Sequence, residues 1–276
     1  MFIDGARRVG RLARLTGRNA DAERCMKMAD ESAAAWARNF LKEDGKVGDG
    51  SQASQAFALG FGAAPEQDRS KVFEQLLEAL KAPDGPRLST GIFGTRFLLE
   101  ELSRHGHSAD AFALADRKTF PSWGWMLENN ATTLWEHWAG SDNTYSHNHP
   151  MFGSISGWFF RWLGGIQAAD DAVGFDRIVI RPQVVLGLGW VKCSHRTVRG
   201  VIESNWSVVP DGRKFEFVIP TDATAIIGLP AGADDIVSEG GKPITESKEI
   251  ESLKSEPASR LLRVGGGRYQ FLVSHK

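Results

Sequence analysis

Between residues 121 and 149 the chain collects Trp123, Trp125, Trp135 and Trp138, His137, His147 and His149, with Glu136 and Asp142 among its acids. Sugars present C–H faces that stack on aromatic rings and hydroxyls that need charged or amide partners. Rings crowded around one or two carboxylates therefore suit a saccharide pocket. Glu136, flanked closely by Trp135 and Trp138 in a segment punctuated by Gly and Asn, is the carboxylate best placed for a pocket floor. Its competing reading is an exposed loop glutamate, as the tryptophans also read as ordinary core. His147 and His149 alternate and would face the same way, but with His137 and Glu136 they match no zinc spacing, so no metal and no cofactor is expected. They read instead as structural groups at the start of a helix opened by Pro150, or as donors to a sugar hydroxyl. Asp49, in Gly-Asp-Gly-Ser-Gln, is a turn aspartate or a second acid reaching the same face, and Ser89-Thr90-Gly91 reads weakly as an anion-binding helix start.

Helices must position these groups. Asn19 reads as the cap of a helix carrying Ala22, Cys25, Met26, Ala29, Ala33, Trp36, Ala37 and Phe40 at three- and four-residue spacing. Val9, Leu12 and Leu15 mark a shorter helix before it, ending at Gly17. After a glycine-rich loop, Ser51 caps a helix with Ala56 and Phe57, and Pro65 opens another whose stripe is Val72, Phe73, Leu76, Leu77 and Leu80. A helix from about 91 to 104 carries Ile92, Leu98, Leu99 and Leu102, and Ser108 caps a short one with Phe112 and Ala115. A seventh, opened by Pro150, carries Phe152, Ile155, Phe159, Trp162, Leu163 and Ile166 and forms a core wall of the same domain. Helical hairpins in series without strand signals indicate an α/α architecture.

From about residue 169 the apolar period falls to two. Strands are expected at 177–181, 189–194, 197–203, 205–209, 213–219, 224–229, 260–264 and 268–273, with turns at Pro210-Asp211-Gly212 and Gly265-Gly266-Gly267. They form an antiparallel sandwich of roughly eight strands. A length of 276 residues accommodates two domains, here 1–168 and 169–276.

Thirty-three basic and 34 acidic residues nearly cancel, and the basic clusters are short, which argues against a nucleic-acid partner. No apolar run is long enough to span a membrane, and residue 1 is not followed by the zones of a signal peptide. Two cysteines make neither a disulfide framework nor a zinc knuckle, so no compartment is indicated.

Five segments then carry a resemblance: Leu88-Ser-Thr-Gly-Ile-Phe-Gly-Thr, Pro121-Ser-Trp-Gly-Trp, Ala131-Thr-Thr-Leu-Trp-Glu-His-Trp, Ser146-His-Asn-His-Pro-Met-Phe-Gly-Ser and Phe175-Asp-Arg-Ile-Val-Ile-Arg-Pro. In order and spacing they resemble the later part of bacterial α-L-rhamnosidases, from near residue 5 to the end. The resemblance implies a six-hairpin (α/α)6 toroid of twelve helices, of which seven are counted here, followed by an antiparallel β-sandwich. The chain then reads as the C-terminal portion of the catalytic domain plus the sandwich domain. The resemblance further implies inverting hydrolysis of a terminal α-L-rhamnoside, with a rhamnose-containing glycoside as partner. It makes Glu136 the general base, His149 and Asn148 substrate-binding residues, and Trp123 and Trp135 stacking candidates. The general acid belongs to an earlier motif with no counterpart here, so the chain alone is expected to be inactive, its missing partner being the N-terminal half of the barrel. Any targeting segment would likewise lie upstream of residue 1. The segment between Glu136 and His149 is shorter than in many relatives, and Pro150 replaces an aromatic. Two alternatives stand: a non-catalytic carbohydrate-binding protein, and a six-hairpin glycosidase acting on another sugar such as an unsaturated uronide.

Overall fold

The computed structural model describes residues 1–140, 146–247, 249–254, 256 and 258–274. The chain divides into two compact units, Met1–Ile155 and Ser156–Lys276. The first is helical: α1 (Phe2–Leu15), α2 (Asn19–Phe40), α3 (Gln52–Gly60), α4 (Arg69–Leu80), α5 (Gly94–Arg104), α6 (Ser108–Asp116) and α7 (Trp123–Glu128). An eighth helix, α8 (Ser154–Trp158), begins at its end, and the division between units runs through it. Consecutive helices contact each other as α1 with α2, α3 with α4, α5 with α6, and α6 with α7.

α1 and α2 form a hairpin whose turn holds Gly17 at φ +74°, a left-handed conformation that costs glycine nothing. Two details of the sequence reading change here. Arg18, not Asn19, precedes the first turn of α2, and Arg18 pairs with Asp21 inside it at 2.6 Å. Val9, Leu12 and Leu15 do lie on a helix, but they face outward at 54%, 62% and 83% exposure. The buried positions of α1 are Ile3, Gly10 and Ala13. Helical spacing identifies a stripe without saying which stripe meets a neighbour, and the small residues of α1 allow closer approach to α2, with Gly10 against Met26 and Ala22.

α3 is the hub of this unit. Its buried Gln52 donates to the carbonyls of Ala79 and Arg87 at 2.9 and 2.7 Å and accepts from Ser89 N–H at 2.8 Å. Gln55, fully buried, accepts from Val47 N–H at 2.9 Å and donates to the Gly45 carbonyl at 3.3 Å. Two glutamines thus satisfy loop backbone that would otherwise be buried without partners. Ser51 caps α3 as expected, its hydroxyl accepting from Ser54 N–H. Asp49 belongs to the same cap: its Oδ1 accepts from Ser51 N–H at 3.0 Å and from the Ser54 hydroxyl at 2.8 Å. These bonds hold its carboxyl down at about 2 and make it a turn residue. Further differences are local. Ile92 precedes α5, which begins at Gly94, and Ser108 is the first residue of α6, after His107, with no side-chain cap bond. After Pro150 the chain makes a 3-10 turn, α8 and one widened π turn, Phe159–Leu163, and Ile166 has already entered a strand.

The second unit is a two-sheet sandwich. One sheet has the order β1-β2-β6-β10-β9 and the other β3-β4-β5-β11-β7-β8. The strands are β1 (Ile166–Ala168), β2 (Arg177–Ile180), β3 (Trp190–Thr197), β4 (Gly200–Val209), β5 (Gly212–Ile219), β6 (Thr224–Leu229), β7 (Ile236–Glu239), β8 (Lys242–Pro243), β9 (Glu251–Ser252), β10 (Arg260–Val264) and β11 (Gly267–Ser274). Alternate residues meet in a core built on Ile178, Ile202, Trp206, Phe215, Phe217, Ile227, Leu262 and Phe271. Among the described residues, β1, β7, β8 and β9 fall outside the expected set and raise the strand number to eleven, while Thr197 ends β3 and the segments at 200–203 and 205–209 are parts of one ten-residue strand. Its midpoint, Ser204, is polar but buried, since its hydroxyl donates to the Gly164 carbonyl at 2.6 Å. The pairing is not wholly antiparallel, for β2 and β6 run parallel with Arg177 opposite Thr224. The triple-glycine turn joins β10 and β11, which belong to different sheets.

Two outcomes are expected. Phe271→Ala, at a fully buried position, should lower sandwich stability by about 3–5 kcal/mol in chemical denaturation. The Asp49 carboxyl should titrate near 2 by NMR. Because its folded value is depressed, its contribution is fully present above the unfolded value of about 3.9 and is lost as pH falls from there through the folded value. Asp49→Asn should therefore destabilise at pH 7, with the difference from the parent vanishing toward pH 2.

Candidate functional site

The segment that carries the rings opens with a short helix and continues as irregular chain. Ser122 caps α7, its Oγ accepting from Trp125 N–H at 2.9 Å, so Trp123 and Trp125 begin a helix. Trp123 points into the core at 8% exposure, and its indole N–H donates to the Phe152 carbonyl at 3.1 Å. Trp138 is buried beside it. Their centroids are 5.1 Å apart in an edge-on arrangement, and the Phe152 ring lies 3.8 Å from Trp138. The Trp138 indole N–H donates to the Thr90 carbonyl at 2.7 Å. Thr90 in turn meets Thr95 at the head of α5, Oγ1 to Oγ1 at 2.8 Å. These bonds leave the Ser89-Thr90-Gly91 segment structurally engaged, with Ser89 N–H committed to Gln52.

On this aromatic base two stretches of chain run side by side. Glu136 N–H donates to the Ser146 carbonyl at 2.8 Å, and His149 N–H donates to the Leu134 carbonyl at 2.8 Å. Thr133 Oγ1 donates to the His147 carbonyl. The Glu136 carboxylate is aimed by a second contact, Oε2 accepting from Ser146 N–H at 3.0 Å. His149 Nδ1 lies 4.0 Å from the same oxygen, with the two side chains 27% and 35% exposed for His149 and Glu136. That separation is too long for a hydrogen bond and suits a bridging water or hydroxyl. His149 Nε2 is buried and has no hydrogen-bond partner among the described residues. A carboxylate fixed by one amide, still open to solvent and next to an imidazole, can accept a proton from water while the imidazole engages a neighbouring hydroxyl.

The other expected site residues separate. Asn148 is exposed, and its N–H donates to Ser146 Oγ at 3.1 Å. Trp135 lies 5.5 Å from the His147 ring and closes against Gly140, where a Cβ would stand 2.8 Å from the indole and where φ is +67°. Glycine is therefore required at 140 on two grounds. Trp135 and His147, with Asn129, Asn130, Thr132 and Thr133, line a polar cavity of about 400 Å³ that neither Glu136 nor His149 lines. Trp123 is walled in by Trp138 and Phe152. Asp142 lies outside the described residues. Sequence reasoning missed Ser146, because it acts through its backbone, which carries no residue signature. It also passed over the tie from Trp138 to Thr90, which joins positions 48 residues apart.

Helical hairpins ending in a two-sheet sandwich, with a carboxylate and imidazole presented above buried rings, place the chain among the six-hairpin glycosidases. The model of the bacterial alpha-L-rhamnosidase six-hairpin glycosidase domain matches residues 1–163, and that of the bacterial alpha-L-rhamnosidase C-terminal domain matches residues 165–243. The chain belongs to the bacterial α-L-rhamnosidase family of glycoside hydrolases. It is similar to an alpha-L-rhamnosidase of Streptomyces avermitilis, 27% identical over 85% of this chain and 22% of that protein, and to one of Alteromonas sp., 28% identical over 92% and 27%. Among solved structures it matches the alpha-L-rhamnosidase of Dictyoglumus thermophilum at a TM-score of 0.91 and 30% identity, over 99% of this chain and 31% of that one. It also matches the S. avermitilis enzyme complexed with L-rhamnose at 0.88 and 25%, over 98% and 26%. The chain thus spans between 22% and 31% of the length of these relatives.

Trp138→Phe keeps a ring in the cluster but leaves the buried Thr90 carbonyl only its long 3.5 Å contact from Thr95 Oγ1. A stability loss of about 1–3 kcal/mol is expected in urea denaturation, with weakened amide protection at residues 134–138 in hydrogen exchange.

Proposed function

We propose that this chain carries the general-base side of an inverting α-L-rhamnosidase that releases terminal α-L-rhamnose. Residues 1–168 are then the C-terminal portion of the (α/α)6 catalytic domain and 169–276 its β-sandwich domain. The observation that carries this reading is the Glu136 carboxylate, aimed by Ser146 N–H and standing 4.0 Å from His149. In the reaction, ionised Glu136 takes a proton from a water whose oxygen bonds to the anomeric carbon. The glycosidic bond breaks on the opposite face, and a protonated carboxyl roughly 6.5–9.5 Å away donates its proton to the leaving oxygen. Water is consumed, and the sugar leaves with inverted configuration. His149 and Asn148 hold ring hydroxyls, and Trp135 offers a ring in the adjoining cavity. Trp123 acts from beneath, through Phe152 and Trp138.

The general acid in this reading comes from residues outside these 276, on the rest of the barrel. Two features support that partner. α1 presents Phe2, Val9, Leu12 and Leu15 to solvent, and an apolar cavity of about 560 Å³ is lined by Ile3, Trp36, Phe40, Phe57, Phe61 and Phe93. Apolar faces of this extent fit further helices of the same toroid.

The chain alone should not hydrolyse a chromogenic α-L-rhamnoside; activity abolished by Glu136→Gln would show instead that both carboxyls lie within it. In a longer polypeptide that is active, Glu136→Gln should lower kcat at least about 10²-fold, and near-normal turnover would remove Glu136 from the mechanism.

A further inference from the structure

The outward face of the six-stranded sheet holds a second set of groups suited to sugars, on strands that hydrolysis at Glu136 does not use. Lys192 on β3 stands opposite Asn205 on β4, Asn205 opposite Glu216 on β5, and Glu216 opposite Gln270 on β11. All point away from the core, because their strand neighbours Cys193, Ser204, Trp206, Phe215, Phe217 and Phe271 are buried. The row crosses three interstrand spacings, roughly 14 Å, which exceeds a single sugar ring. A cavity of about 320 Å³ is sunk into this face, lined by Glu203, Asn205, Glu216, Glu239, Arg268 and Gln270 among others. Glu216 is preorganised there, its Oε1 accepting from Gln270 Nε2 and from Lys214 Nζ, each at 3.0 Å. These contacts hold the Glu216 carboxyl below its usual range, so it stays a charged acceptor at neutral pH. Two residues before Lys192 on the same strand face, Trp190 is 63% exposed.

Charge selects the ligand class. Acids and bases are interspersed here: Glu203, Glu216, Glu239 and Arg268 line the cavity, and Lys192, Arg196 and Lys214 stand on the same strands around it, so neither sign forms a continuous stripe, which disfavours a polyanion and a polycation alike. Among the described residues no group of three or more acids, histidines or cysteines is arranged to hold a metal. What remains matched is a neutral molecule with many hydroxyls, bound by carboxylate and amide groups and one flat ring.

We infer that the outer face of β3, β4, β5 and β11 binds a short neutral oligosaccharide, with hydroxyls on the Asn205–Glu216–Gln270 row and one sugar ring on Trp190. This surface is built from β3, β4, β5 and β11 alone, and the inference stands or falls independently of the Glu136 reading. Its test is an amide-detected NMR titration of the 276-residue chain with rhamno-, xylo-, cello- and maltohexaose and with heparin. At least one neutral hexasaccharide should give saturable shifts on β4, β5 and β11. They should be unaltered in Glu136→Gln and weakened at least tenfold in Trp190→Ala and in Glu216→Ala. Both are exposed positions, and an unchanged thermal transition will verify that each variant is folded. The inference is overturned by the absence of saturable shifts with every neutral sugar, by shifts with heparin alone, by binding that survives both substitutions, or by shifts confined to residues 133–149. The last result would leave the Glu136 reading intact.

Discussion

The site depends on one indole N–H. Trp138 donates to the Thr90 carbonyl and fills the space between Trp123 and Phe152. It thereby ties the loop bearing Glu136 to the start of α5 and to the turn that follows His149. A buried tryptophan must find an acceptor for its N–H, so the indole cannot rotate away without leaving that donor unpaired and the Thr90 carbonyl with only a 3.5 Å contact from Thr95 Oγ1. That fixed base lets the two stretches at 133–136 and 146–149 form short backbone rungs without any regular sheet around them. Accurate placement of Glu136 follows from core physics, and the carboxylate itself needs only one aimed amide.

The two units solve the same polar accounting differently. In the sandwich, long paired strands satisfy the backbone, so the core between the sheets can be almost wholly apolar. In the helical unit, irregular loops enter the interior, and side chains satisfy them: Gln52 and Gln55 from α3, Ser51 and Asp49 at its cap. Glutamine is suited to this work because one amide both donates and accepts. These loops are thus held by hydrogen bonds from amide and hydroxyl side chains and one ionised carboxylate, rather than by surface ion pairs, which are worth little and are screened by salt.

Much of this was legible in residue order. Period 3.6 up to about residue 168 and period two from about 169 separated helices from strands, because burial on one face leaves that imprint on any sequence, although β1 already begins at Ile166. Thr224–Leu229 and the turn before Arg213 were placed almost to the residue. The errors share a cause. α1 was found but its buried face was not, since neighbours decide which stripe is covered. β10 and β11 were found as strands, yet nothing local says that they lie in different sheets.

For the site, the residue types and the resemblance selected Glu136 and His149, because acid–base chemistry and sugar contacts demand side chains that a sequence displays openly. Tertiary structure alone decided what surrounds them. It turned Trp123 into the core, left Trp135 beside a separate polar cavity, and gave Ser146 its role through a backbone N–H. Those outcomes rest on which groups meet across 10 to 48 positions of chain, and such meetings are set by close fit and hydrogen-bond satisfaction in three dimensions. Order along the chain carries chemistry; only the fold determines proximity.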